Sequence, residues 1–162
     1  MPVNSAFPAI FIFIILLKIW HGLCFLFGMR VKAHEVELEF GKMLSEIGCN
    51  GSIALLSNDD FKNLTGFGIG SCYGKCQFKY RVITVRIGNR PLIDIKNTLW
   101  HEIGHILWNN KAHWFIECFA SVMNDDNRIG RYSTKYGHSK NDIPARGELL
   151  EMARKRILVI EK

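Results

Sequence analysis

The chain has 162 residues, of which 48% are hydrophobic and 22% charged, and its formal net charge is +6. That length suits one domain, and the composition excludes wholesale disorder. The positive charge is spread along the chain, densest at residues 79–81, 86–90 and 154–156, with no binding motif beside it. It reads as a solvated surface, and no nucleic-acid partner is expected.

Residues 6–29 form an apolar run, AFPAIFIFIILLKIWHGLCFLFGM, interrupted only by Lys18 and His21. A helix needs about 20 such residues to cross a bilayer. No Lys or Arg precedes the run and no small-x-small site follows it, so a cleaved signal peptide fits less well. Arg30 and Lys32 directly after it favour a cytoplasmic C-terminal side. Residues 1–29 are therefore expected to be a hydrophobic helical segment anchoring the chain in a membrane, and residues 30–162 the folded domain. The alternatives are a secreted protein, or a soluble cytoplasmic one translated from Met29.

In residues 34–47, Val36, Phe40, Met43, Leu44 and Ile47 recur at helical spacing, and Gly48 suits the stop. SIALLS, residues 52–57, reads as a buried strand, and Asn58-Asp59-Asp60 opens a short helical turn through Leu64. Glycines at 66, 68, 70 and 74 suit a hairpin. They are no phosphate loop, because Gly-Lys-Ser/Thr is absent. YRVITVRI, residues 80–87, alternates Ile83, Val85 and Ile87 with Thr84 and Arg86, which predicts a strand with one buried face. After Asn89-Arg90-Pro91 a helix is expected over 92–108, ended by Asn109-Asn110 in left-handed conformation. A second helix spans about 112–123, a polar loop follows, and Pro144 opens a last helix over 145–160. Five cysteines (Cys24, Cys49, Cys72, Cys76, Cys118) are an odd number, which argues against a completed disulfide framework. Cys72 and Cys76 read first as small strand residues, able to bridge a hairpin in an oxidising compartment.

The helix over 92–108 carries HEIGH. Residues four apart share a helix face, so His101 and His105 can aim two imidazoles at one metal ion. Glu102, about a hundred degrees round the helix, can reach a metal-bound water as general base. Zinc lowers the pKa of such a water to about 7. The flanking Thr98, Leu99, Ile103, Gly104, Ile106 and Leu107 are uncharged, and burying two histidines and an acid among them is costly without a partner.

A zinc peptidase site has three protein ligands. Candidates for the third are Glu117, His113, His138, Glu148 and Glu151. If the chain turns at residues 109–111, His105 lies opposite residues 115–116 and His101 opposite 119, which puts Glu117 level with the metal. His113 falls beside Leu107, nearer the turn, and Lys111 stands where HExxHxxGxxH has its third histidine. Glu117 is therefore the expected ligand.

TLWHEIGHILW followed by ECFASVMN resembles the zincin metallopeptidases with two histidines and a glutamate, most closely the ImmA/IrrE type. The likeness covers residues 53–124. It implies an α+β, minimal zincin-like domain, with a small mixed or antiparallel sheet packed on the HExxH helix and its neighbours. It also implies that the strand at 80–87 lines the cleft as an edge, where an extended peptide can pair. Tyr132, Tyr136 and His138 are candidate donors to a developing oxyanion. The expected function is zinc-dependent peptide-bond hydrolysis with Zn2+ on His101, His105 and Glu117, Glu102 as base, and a protein or peptide substrate. The alternative is a non-catalytic, membrane-tethered zinc module that binds a partner; such a module has no use for an acid beside a metal water.

Overall fold

The computed structural model describes residues 19, 23, 32–67, 73–77, 81–88, 90–125 and 142–160. Within them lie five helices and one three-stranded mixed sheet. Residues 32–47 form α1, whose Val36, Phe40, Met43 and Ile47 are buried at the expected helical spacing. Gly48, at φ 70°, turns the chain out of the helix. Of the apolar N-terminal run, only Ile19 and Leu23 are described; both are helical and more than half exposed. The rest of the expected anchor lies outside the described residues, among which no helix is long and apolar enough to cross a membrane.

Strand β1 (Ser52–Leu56) leads into α2 (Asn58–Thr65) through Ser57, whose hydroxyl accepts from the Asp60 backbone N–H at 3.1 Å. Gly66, at φ 77°, closes α2. Strands β2 (Gly74–Gln77) and β3 (Val82–Arg86) are antiparallel, with Gly74 opposite Val85 and Cys76 opposite Ile83. β1 pairs with β3 in parallel, so the sheet order is β1-β3-β2.

That order corrects two expectations. β3 is the central strand, and the edge nearest the HEIGH helix is β2. A central strand has both faces covered, so β3 is not half-exposed: Ile83 and Val85 join the core, while Thr84 and Arg86 on the other face are buried as well. Gly74, read as a hairpin glycine, sits inside β2.

Helix α3 (Leu92–Leu107) carries HEIGH across the sheet, burying Ile95, Leu99, Trp100, Ile103 and Leu107. Trp108 breaks it, and α4 (His113–Met123) returns antiparallel against it. The turn is made without left-handed asparagines, since the described non-glycine residues at positive φ are Arg81 and Asp125. The close approach of the two helices depends on Gly104. A Cβ there would stand 3.0 Å from Phe119 Cδ1 and 3.1 Å from Ile116 Cγ2, so a larger residue would push α4 off α3. Trp100 and Trp108 both meet Phe119 edge-on at the same contact. Helix α5 (Arg146–Ile160) closes the core with Leu149, Ala153 and Ile157.

Candidate metal centre

His101 and His105 leave α3 on one face, four residues apart, with their Nε2 atoms 3.1 Å apart. His113, in the first turn of α4, brings a third ring to them, its centroid 4.9 Å from that of His101 and 5.5 Å from that of His105. One ligand atom from each of the three histidines lies within 4.8 Å of the others. Tetrahedral zinc at Zn–N distances of about 2.05 Å needs its nitrogens roughly 3.4 Å apart. The α3 pair is already close to that spacing. His113 must close by an ångström or so, and as an exposed residue it has room to turn.

The donor set therefore suits a transition metal that favours imidazole. Its electrostatics point the same way. Burial, then the neighbouring His105 and His113, hold the His101 imidazole down at about 3. Burial first and His113 second lower His105 too. Both rings are thus neutral near pH 7 and present lone pairs, as metal ligands must.

Glu117 lies on α4 one turn beyond His113, outside this histidine group. Its Oε1 is 3.7 Å from His113 Nδ1, and its side chain is 18% exposed against 54% for the histidine. Comparing Cα heights across the α3–α4 turn cannot choose between residues 113 and 117, because they share one face of α4. The reach of the imidazole brings His113 to the α3 pair and leaves the shorter carboxylate behind it. The remaining candidates are elsewhere. Glu148 Oε2 accepts from the Ala145 backbone N–H at 3.1 Å, and Glu151 pairs with Arg154 at 3.1 Å, both on the exposed side of α5. Tyr132, Tyr136 and His138 lie outside the described residues.

Glu102 is 7% exposed and wedged between α3 and the edge strand β2. A Cβ on Gly74 would stand 3.0 Å from both Glu102 Cγ and Oε1, and 2.7 Å from Thr98 Cγ2, so only glycine lets β2 pass this close. Burial raises the Glu102 carboxyl to about 7, against hydrogen bonds from the Cys76 thiol and the Cys76 backbone N–H that hold it down. Burial, then the Glu102 charge, push the Cys76 thiol up to about 12, so it stays protonated and donates. Neither Gly74 nor Cys76 is signalled by the HEIGH motif. Their part in the site follows from strand pairing between distant segments.

The raised carboxyl makes a stability prediction for the metal-free protein. The folded value of about 7 lies above the ordinary 4.5. The folded state therefore holds this proton more tightly, and the resulting stability is complete below pH 4.5 and lost as pH rises through 7. The ceiling is on the order of 3 kcal/mol. His101 acts in the opposite sense, at acid pH: its folded value is depressed from 6.5 to about 3, so stability is lost as pH falls below 6.5. Comparing chelator-treated wild type with Glu102→Gln cancels the histidine contribution. Between pH 5 and pH 8 in thermal melts, wild type should lose ground to the variant; parallel pH profiles would contradict a buried carboxyl with a raised pKa.

Comparisons with protein-family models, curated proteins and solved structures returned no match.

Proposed function

We propose that this protein is a zinc metallopeptidase, in which His101, His105 and His113 hold the metal and Glu102 is the general base. The observation that carries the reading is the convergence of three imidazoles beside a buried carboxylate set against an edge strand. The resemblance of HEIGH and ECFAS to zincins of the ImmA/IrrE type supports it from the sequence side. Zinc held there supplies Lewis-acid polarisation of a peptide carbonyl and a water of lowered pKa.

The chain's own residues do the rest. β2 offers its outer edge to an extended substrate backbone. Glu102, gripped by Cys76 and confined by the missing side chain at Gly74, takes a proton from the attacking water. Its raised pKa matches that task near neutral pH. The Glu117 carboxylate stands behind His113 Nδ1 and leaves Nε2 to the metal, the arrangement in which an outer carboxylate orients a ligating histidine. The apolar run at residues 6–29 tethers the domain to a membrane, with the catalytic part on the cytoplasmic side. That tether rests on sequence alone.

Metal analysis with a peptide hydrolysis assay tests the proposal. The purified full chain should carry about one zinc per molecule, chelation should abolish hydrolysis of a mixed peptide panel, and added zinc should restore it. A protein without affinity for zinc would sink the reading. Zinc retained with no hydrolysis by wild type would favour the non-catalytic binding module instead.

A further inference from the structure

One cluster near the cleft is not used by the chemistry above. Tyr73, immediately before β2, is 45% exposed, and two guanidinium groups stack on its ring: Arg86 at 4.6 Å and Arg90 at 4.5 Å from the centroid. Arg86 ends β3 and is only 3% exposed, yet its Nε has no hydrogen-bond partner. No carboxylate among the described residues forms an ion pair with it. A third cation, Lys32, donates to the Gly88 carbonyl at 3.0 Å, and the charge of Arg90 acts on it directly. The carboxylates nearby are Glu35, which acts on Lys32, and Asp94, in the first turn of α3.

Two guanidinium groups against one ring repel each other, and a buried arginine nitrogen without an acceptor is costly. A carboxylate arriving beside Tyr73 relieves both penalties, since Arg pairs with carboxylates through short charge-assisted bonds. The N-terminus of α3 lies alongside, has no side-chain cap, and adds its positive dipole.

The position relative to Glu102 is set by α3. Arg90 Nη2 donates to Thr98 Oγ1 at 2.6 Å, and Thr98 is one helical turn, about 5.4 Å, before Glu102. Tyr73 is joined to Gly74, which touches both Thr98 and Glu102. An extended peptide advances roughly 3.3 Å per residue, so an anion at Tyr73 falls about two residues from the bond that Glu102 serves.

We propose that Arg86 and Arg90, stacked on Tyr73, form a carboxylate-recognising subsite at the Thr98 end of the cleft, and that the substrates are peptides carrying an acid about two residues from the cleaved bond. The proposal rests on the peptidase reading for the meaning of "substrate", but the subsite binds without metal or turnover.

Calorimetric binding to the full chain in chelator tests it, where nothing is hydrolysed. The probes are octapeptides of alanine, valine and serine, blocked at both ends, with one Glu scanned along the sequence and Gln at the same place as control. A further arm is a neutral peptide with a free C-terminal carboxylate. A Glu position should bind about tenfold tighter than its Gln control. The gain should shrink at high salt and in Arg86→Gln, or in Arg90→Gln if the first variant does not fold. A gain confined to the free C-terminus supports the same subsite with the chain end as the carboxylate source. Equal binding of Glu and Gln peptides with no gain from a free C-terminus, or a preference untouched by either arginine variant, overturns the subsite and leaves the stack as a clasp holding Tyr73. Hydrolysis with zinc is measured separately. Acidic preference without hydrolysis sinks the peptidase and keeps the subsite, while hydrolysis without acidic preference does the reverse.

Discussion

Glu102→Gln should keep its zinc and lose peptide hydrolysis by about 10³-fold, the middle of the range that a positioned acid–base group contributes. Gln has the shape of Glu, so it fits the same slot between α3 and Gly74 without opening a cavity. It still accepts hydrogen bonds from the Cys76 thiol and backbone N–H through its carbonyl oxygen. What it lacks is a basic oxygen, so proton removal from water fails while packing is retained. The loss should fall on kcat, because a base acts on the transition state and not on substrate binding. Metal analysis and steady-state kinetics on the two proteins decide the matter. An unchanged kcat would remove Glu102 from the chemistry, and loss of zinc would make it a ligand instead.

How much of this was legible beforehand depends on the range over which the signal acts. α1, β1, α2, α3, α4 and α5 each carry local periodicity or a local stop: Val36 to Ile47 at helical spacing, Gly48 after α1, Ser57 before α2, Pro144 before α5. HEIGH is likewise local, because i and i+4 on one helix settle which side chains share a face. Strand order is not local. Alternation in VITVRI marks a strand but cannot say whether its second face is solvent or protein, and here Arg86 is buried beneath Tyr73. The same limit hid the grip of β2 on Glu102. Gly74 reads as a turn residue until its strand is known to lie against α3. The third histidine was legible as a candidate and was set aside on Cα height, where side-chain length decides the contact.

That distinction makes a second large effect measurable. If His113 is a ligand and Glu117 its outer partner, His113→Ala should weaken zinc binding far more than Glu117→Gln. Outer-partner substitutions cost roughly 10–100-fold in metal affinity. Removing a direct ligand leaves two imidazoles on α3, short of the three protein ligands a catalytic zinc site uses. The carboxylate at 3.7 Å from Nδ1 favours the tautomer with its proton on Nδ1, which leaves Nε2 free to bind metal. Gln at 117 can still accept from Nδ1–H without the charge, so its effect should stay within the outer-partner range. Competition against a zinc chelator of known affinity ranks the variants, with His101→Ala as the reference for a lost ligand. His113→Ala should match that reference. Should Glu117→Gln match it while His113→Ala stays near wild type, the metal is held by the glutamate, and α4 must shift on binding to bring Glu117 past His113.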